Sequence, residues 1–160
     1  MRLPADDAFR KYGDRVFAAA FSICQCREDA DDVVQETFIR YLSQEKDFES
    51  DSHIKAWLIR TAINRAKDLT RSYWRKHRTS WEEYMDDLVF AEPEDSRLFE
   101  AVMNLPDKYR IVIHLYYYED YSIREIAGIL QCREGTVKSQ LSRGRTLLKQ
   151  TLKEEWNDDE

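Results

Sequence analysis

Residues 122–148, SIREIAGILQCREGTVKSQLSRGRTLL, have the pattern of two helices joined by a short turn. Ser122 and Glu125 have the spacing of a capping box, in which each side chain bonds to the backbone N–H of the other residue. The first helix stops near Gln131, a turn through QCREG (residues 131–135) follows, and a second helix is predicted from Thr136. The first helix repeats its apolar residues at helical spacing, at Ile123, Ile126, Ala127 and Leu130. This layout is that of a helix-turn-helix.

The second of these helices has two chemically distinct sides at about 100° per residue. The packed side is predicted to hold Val137, Leu141, Gly144, Leu148 and Leu152, with the glycine allowing a close approach of another segment. The outer side carries cations and hydroxyls, at Lys138, Ser139, Ser142, Arg143 and Thr146. Such side chains suit base edges and phosphates in a DNA major groove. Periodicity alone also allows an amphipathic helix with a solvated basic face, but the capping box and turn favour DNA binding.

A second basic segment lies in the N-terminal half, although the chain has a formal net charge of -6. Eight basic residues fall between Lys55 and Arg78, with Asp68 as the one acidic residue. On a helical wheel one ridge carries Arg60, Asn64, Lys67 and Arg71. Trp57 and Trp74 border this ridge, so phosphate neutralisation and base stacking are both available to single-stranded or opened DNA. The alternative is a solvated face with two core tryptophans, and the wheel gives Arg65 no assignment.

The composition indicates an all-α protein, because 42% hydrophobic and 35% charged residues are combined with few glycines and prolines. The longest apolar run, residues 16–23, is too short to cross a bilayer, and no secretory signal is visible, so a cytoplasmic location is expected. Cys24, Cys26 and Cys132 are expected to be reduced thiols. The three histidines lie near no cysteine at ligand spacing, so neither a metal nor a cofactor is predicted.

The chain is predicted to divide into two small helical domains joined by an acidic linker. Eight acidic residues against one arginine crowd residues 79–100, which indicates a self-repelling, solvated segment. We therefore expect an N-terminal domain at 1–78 with three helices, a linker at 79–94, and the helix-turn-helix domain at 95–160. A surface loop within one domain is the alternative for the acidic segment.

The predicted second helix opposes the basic one, because acidic residues fill its first turns, at Glu28, Asp29, Asp31, Asp32 and Glu36. Such residues also stabilise a helix N-terminus through its dipole, which is the simpler explanation. A calcium loop starting at Asp29 fails, since Val34 stands where the turn glycine belongs and Arg40 replaces the closing glutamate. A protein partner with a basic surface remains the functional interpretation.

Three motifs together resemble the extracytoplasmic-function group of bacterial RNA polymerase sigma factors. They are DADDVVQETFIRYL, then AWLIRTAIN, then LPDKYRIVIHLYYYEDYSIREIAGILQCREGTVKSQLSRGRTLL, in the family's order and spanning nearly the whole chain. The resemblance implies binding to core RNA polymerase and to promoter DNA as duplex and as melted strand, with catalysis left to the polymerase. It also leads us to expect an anti-sigma factor.

The resemblance implies roles position by position. It assigns core polymerase binding to Asp32, Gln35 and Glu36. For the minus-ten element, it matches Trp57 and Asn64 to the promoter-opening helix. It matches Phe48 and the loop of residues 49–54 to the segment that captures a flipped base. Arg60, Lys67 and Arg71 of the basic ridge complete this minus-ten set. It matches the helix for the minus-thirty-five element with Thr136, Lys138, Ser139, Ser142 and Arg143.

Residues 49–56, ESDSHIKA, lack the aromatic residue often found just before the tryptophan in this family, so base preference at the minus-ten element cannot be inherited. The main alternative is a helix-turn-helix transcriptional regulator that binds duplex DNA without serving as a polymerase subunit. An enzyme acting on nucleic acid through the carboxylate cluster is a more distant one.

Overall fold

The computed structural model of the protein describes residues 1–72 and 93–158, and all the regular elements in these ranges are helical. The predicted all-α class is therefore confirmed. Contacts between Cα atoms divide the chain into two compact units, Met1–Arg78 and Thr79–Glu160. Most of the predicted acidic linker at 79–94 lies outside the described residues, as do Trp74, Arg75 and Arg78.

Residues 1–72 of the N-terminal unit form three helices: α1 is Ala5–Cys24, α2 is Arg27–Ser43 and α3 is Asp51–Ser72. Each packs against the other two. Pro4 precedes α1, where its missing N–H costs no helical hydrogen bond, and Gln25 ends the helix in the left-handed region with φ 52°. The core consists of small and branched apolar side chains that are fully buried, among them Ala8, Val16, Ala30, Val33, Ile54, Leu58, Ile59 and Ile63.

Apolar residues repeat at helical spacing in α2, at Ala30, Val34, Phe38, Tyr41 and Leu42, which predicts one buried stripe. This prediction is wrong for Leu42. Ala30, Val34, Phe38 and Tyr41 are indeed buried, but Leu42 is 64% exposed. On a wheel of about 100° per residue, Leu42 lies about 120° from Ala30, beyond the buried face. Tyr41 takes the core position instead, and its hydroxyl donates to the carbonyl oxygen of Leu3 at 2.6 Å.

Within residues 93–158 the C-terminal unit has four further α-helices, α4 (Pro93–Met103), α5 (Asp107–Ile113), α6 (Ile123–Leu130) and α7 (Glu134–Asp158). The first was not predicted, and it begins at Pro93 inside the segment assigned to the linker. Leu105 and Pro106 predict a helix through YRIVIHLYYY with the proline in its first turn. The helix begins one residue later, and Pro106 stands at its N-cap. From His114 to Tyr118 this helix widens into a π-helix.

The helix-turn-helix is formed by α6 and α7, which pack on each other. The predicted capping box is present: Glu125 N–H donates to Ser122 Oγ and Ser122 N–H donates to Glu125 Oε1, both at 3.1 Å. Gln131 ends α6 in the left-handed region with φ 55°. The second helix begins two residues before the predicted start at Thr136, at Glu134.

Gly144 is a point of close approach between α7 and α5. A Cβ at this glycine would lie 3.2 Å from Ile113 Cγ1 and 3.5 Å from Tyr109 Cβ. Its partner is therefore a side chain rather than another backbone. The packing fixes the buried side of α7 and leaves the opposite side open to solvent.

Candidate nucleic-acid and protein interfaces

The exposed face of α3 carries the predicted basic ridge. Arg60 and Asn64 are exposed and Lys67 is half-buried. On the opposite side of the helix, Leu58, Ile59, Ala62, Ile63 and Ala66 are fully buried. Arg71 belongs to the last turn of α3, but its side chain lies outside the described part of the structure. The buried side of α3 packs into the core, and the ridge lies on the opposite, solvent-facing side, as the wheel predicts.

Trp57, which borders the basic ridge, is half-buried against an aromatic cluster. Its ring centroid is 6.1 Å from that of Tyr41 and 6.0 Å from that of Phe48, and Tyr41 and Phe48 stack at 5.8 Å. His53 closes the cluster edge-on to Phe48, at 5.2 Å. Tyr41 comes from α2 and Phe48 from the segment before α3, so two parts of the unit fix the indole.

Phe48 does not have the surface that direct capture of a base requires. Its side chain is 2% exposed, and its backbone N–H donates to the carbonyl oxygen of Met1 at 3.0 Å. The aromatic cluster therefore assigns Phe48 a supporting position behind Trp57. The ring is covered in this conformation, and the expectation that Phe48 itself contacts a base stays a prediction.

The segment predicted as the base-capturing loop, residues 49–54, is largely the start of α3. Glu49 and Ser50 precede the helix and are exposed. Ser50 Oγ accepts from His53 N–H at 3.2 Å, and Glu49 N–H donates to His53 Nδ1 at 3.1 Å. Asp51 receives a hydrogen bond from Lys11 of α1. Hydrogen bonds from α1 and from the segment before the helix thus fix the first turn of α3.

The exposed side of α2 has an acidic half and an apolar half. Asp32 and Gln35 are exposed as predicted, with Glu28 on the same side. Ile39 and Leu42 continue this face toward the C-terminus of the helix and are 60% and 64% exposed. Sequence reasoning missed the apolar half because Leu42 was placed in the core. We call these five residues the α2 face.

Glu36, predicted with Asp32 and Gln35, is directed away from the α2 face toward α3. Arg65 Nε donates to Glu36 Oε2, and Arg65 Nη2 donates to Glu36 Oε1 at 3.3 Å. This hydrogen bond, opposed by partial burial, raises the pKa of the Arg65 guanidinium above its usual value. Arg65 therefore has a structural partner, which the wheel of α3 alone does not reveal.

The exposed side of α7 agrees with the sequence pattern. All five predicted contact residues are exposed, namely Thr136, Lys138, Ser139, Ser142 and Arg143. Val137 and Leu141 are buried on the other side, Leu148 is 9% exposed, and Leu152 near the end of the helix is half-buried. The helix can present hydroxyls and cations to DNA while its apolar side holds the unit together.

Residues 1–72 and 93–158 lack two other kinds of site. No helix within these ranges is long and apolar enough to cross a membrane. The same ranges contain no group of three or more His, Cys, Asp or Glu side chains arranged to hold a metal ion. Cys24, Cys26 and Cys132 are free thiols.

A helix-turn-helix in one unit and a basic helix with a supported tryptophan in the other define a two-domain DNA-binding protein. Residues 8–78 match the family model described as Sigma-70 region 2, and residues 96–148 match Sigma-70 region 4. The chain is 28% identical over 160 residues to the ECF RNA polymerase sigma factor SigW of Bacillus subtilis, covering 89% of this chain and 86% of that one. It is 31% identical over 142 residues to the RNA polymerase sigma factor SigV of the same species, covering 87% and 85%.

Two solved structures are similar across both units. The sigma factor RpoE of Bartonella quintana, in complex with the anti-sigma factor NepR, has a TM-score of 0.70 and 26% identity, covering 92% of this chain and 96% of that one. CnrH, in complex with the cytosolic domain of CnrY, has a TM-score of 0.68 and 28% identity, covering 93% and 87%. The chain belongs to the extracytoplasmic-function group of bacterial RNA polymerase sigma factors. It is a transcription initiation factor and not an enzyme.

Proposed function

We propose that the protein divides the work of a sigma factor among three exposed surfaces. The α2 face docks on core RNA polymerase, the ridge of α3 with Trp57 holds the melted strand of the minus-ten element, and the outer side of α7 reads duplex at the minus-thirty-five element. The observation that carries this proposal is the segregation of charge. Carboxylates and apolar side chains lie on α2, whereas cations lie on α3 and α7.

The composition of the α2 face fits a protein partner better than a nucleic acid. The carboxylates of Glu28 and Asp32 would repel phosphates, but they suit a basic surface. Ile39 and Leu42 add apolar area that becomes favourable once a partner covers it. A helical segment with cations at one end and apolar side chains at the other would complement the whole face.

The ridge of α3 suits a strand that is already unpaired. Arg60 and Lys67 neutralise phosphates, while the half-buried indole of Trp57 offers an edge against which a base can pack. Asn64 lies between them and can both donate to and accept from a base edge. Opening the duplex costs a few kcal/mol per unstacked base, and these contacts offset part of that cost.

The duplex contact falls to α7, where the N-terminal residues of a recognition helix meet base edges. Lys138 and Arg143 can contact phosphates or guanine, and Ser139 and Ser142 can bond to several bases. Since core polymerase and promoter DNA share the cytoplasm in bacteria, we place the protein's action there. The similar structure of RpoE is a complex with the anti-sigma factor NepR, which supports an anti-sigma partner for this chain as well.

The experiment that tests this function is run-off transcription from a promoter pool by core polymerase, with and without the protein. Discrete new start sites are expected, and the selected templates would reveal both elements. Asp32→Ala with Gln35→Ala should abolish core binding and new transcripts together. A matched pair, Asp6→Ala with Asp7→Ala, removes exposed carboxylates from α1 and should leave both intact.

The outcomes separate the candidate functions. Tight duplex binding without core binding or new transcripts would favour the helix-turn-helix regulator and overturn the proposal. Core binding by the chain in the presence of a candidate anti-sigma protein tests the partner, because an anti-sigma factor should compete with the polymerase.

A further inference from the structure

An exposed guanidinium on α7 is held in place by two tyrosines of the π-helix. The centre of the Arg145 guanidinium lies 5.5 Å from the ring centroids of both Tyr116 and Tyr117. Arg145 Nε donates to the hydroxyl of Tyr117. The two rings meet edge to face at 4.9 Å, and Tyr117 is itself 49% exposed. A long side chain that would otherwise sample many rotamers thus has a defined position.

Arg145 belongs to the outer side of α7, although the sequence pattern did not select it. On a wheel of about 100° per residue it lies within about 20° of Lys138 and about 60° of Ser142. It follows Lys138 by two turns, which is about 10.5 Å along the helix axis. Lys138, Ser142 and Arg145 therefore form one exposed line on the helix.

The spacing along this line matches the dimensions of duplex DNA. The major groove of B-DNA is about 12 Å wide. When the start of α7 meets base edges, a residue two turns later reaches the rim of the groove, where the sugar-phosphate backbone runs. Arg145 uses Nε to bind Tyr117, so its two terminal nitrogens remain to donate to a phosphate in the forked geometry that guanidinium favours.

We propose that Arg145 is a phosphate-contacting residue of the duplex interface and that Tyr116 and Tyr117 are its positioning residues. The inference rests on the proposed binding of duplex DNA by α7. Within the described part of the chain, the partners of Arg145 are these tyrosines and no carboxylate competes for it. A guanidinium ordered before binding loses less conformational entropy when it meets a phosphate.

The test is the salt dependence of duplex binding by the full chain, measured by fluorescence anisotropy between about 50 and 200 mM KCl. One probe is a promoter duplex recovered in the transcription assay, and the other is a scrambled duplex of equal length. The plot of log K against log salt has a negative slope, and Arg145→Ala should make it less steep by about 0.9, the value for one phosphate contact. Binding to both duplexes should weaken by the same factor.

Two further variants separate the phosphate contact from a merely structural brace. Tyr117→Phe removes the hydroxyl but keeps the ring, so affinity should fall severalfold while the salt slope stays unchanged. Lys108→Ala is the matched control, because Lys108 is an exposed cation lying 5.0 Å from the Tyr109 ring but belongs to α5. This variant should change neither affinity nor slope.

An unchanged salt slope in Arg145→Ala, with wild-type binding intact, would overturn the inference and leave the proposed function standing. A fall in the thermal midpoint with that same unchanged slope would assign Arg145 to the packing of α7 against the π-helix, which also overturns it. If the wild-type chain and its complex with core polymerase both fail to bind either duplex, the proposed function of α7 fails, and this inference fails with it.

Discussion

Arg65 of α3 and Glu36 of α2 form a two-point ion pair between the helix predicted to hold melted DNA and the helix predicted to dock on polymerase. The side chains are 32% and 41% exposed, so solvent screens the pair and its own contribution to stability is small. Its geometry matters more, because it fixes the rotation of α3 relative to the α2 face. A partner that binds the α2 face can therefore affect the position of the ridge on α3.

The first prediction concerns this pair. Glu36→Arg and Arg65→Glu should each destabilise the N-terminal unit, and the double reversal should recover part of the loss. We expect a coupling energy of about 0.5 kcal/mol from a double-mutant cycle in urea, as for other partly exposed pairs. Additive effects in the cycle would show that the pair does not couple the helices.

Core binding by glutamine variants of the same two residues distinguishes docking from positioning. If Glu36 acts through Arg65, Glu36→Gln and Arg65→Gln should impair DNA opening alike and leave core binding near normal. Loss of core binding in Glu36→Gln alone would instead return Glu36 to the docking set that the resemblance implies. Strand opening can be followed by the fluorescence of a base analogue at the minus-ten element.

The second prediction concerns the apolar half of the α2 face. Leu42→Ser and Ile39→Ser should each weaken core binding by about tenfold, because burying such a side chain contributes about 1.5 kcal/mol. Folding should be unaffected, since both side chains are exposed in the free chain. Leu98→Ser replaces an exposed leucine on α4 and serves as the control. Unchanged core affinity in both α2 variants would restrict docking to the carboxylates.

The third prediction concerns the support of Trp57. Phe48→Ala should cost about 3 to 5 kcal/mol of folding free energy, as expected for a buried aromatic side chain. Phe48→Leu keeps most of the volume and should fold, yet it removes the ring that packs edge-on to the indole. Strand opening should fall, and its effect should not add to that of Trp57→Ala. A changed base preference with intact opening would instead show that Phe48 reads the base itself.

Periodicity predicted most of the fold because each helix buries one continuous face. The bounds of α6 followed from the capping box at Ser122 and from the end of the apolar period near Gln131, both of which are local signals. The helix α4 was missed because its acidic start resembled linker sequence. Pro93 at its first position, followed by Glu94 and Asp95, was a usable signal for a helix N-terminus.

Relationships between helices could not be predicted from the sequence in the same way. A wheel of α3 leaves Arg65 outside both the basic ridge and the buried face, and it cannot show that Glu36 of α2 meets this arginine. Likewise, Phe48 lies outside any periodic segment, so its burial depends on how the chain enters α3. Arg145 was overlooked because its tyrosine partners lie on a different helix. The periodicity of the sequence does not reveal the π-helix that positions them.

The last prediction concerns His114, which lies in the π-helix with its ring stacked on Tyr118 at a centroid distance of 5.6 Å. Burial lowers the pKa of this imidazole to about 4, although the nearby carboxylate of Glu119 opposes the shift. Nε2 of His114 has no hydrogen-bond partner in the described part of the chain. A proton added there would be both desolvated and unpaired.

The sign of the pH dependence follows from this depressed pKa. In the unfolded chain the histidine takes up a proton near pH 6.5, whereas in the folded chain it does so only near pH 4. The C-terminal unit should therefore hold its full stability above about pH 6.5 and lose about 3 kcal/mol as the pH falls to 4. Urea unfolding, followed by NMR signals of this unit, measures the loss.

His114→Leu should flatten the pH profile between 6.5 and 4, because it removes the one strongly shifted group in the described part of this unit. Titration of the imidazole ring protons in the folded wild-type chain gives the direct check, with a midpoint expected near 4. A midpoint near 6.5 would mean that water or a partner reaches Nε2, and the stability of the unit should then be insensitive to this histidine. Local opening of the π-helix would, in that case, expose the imidazole of His114 to water.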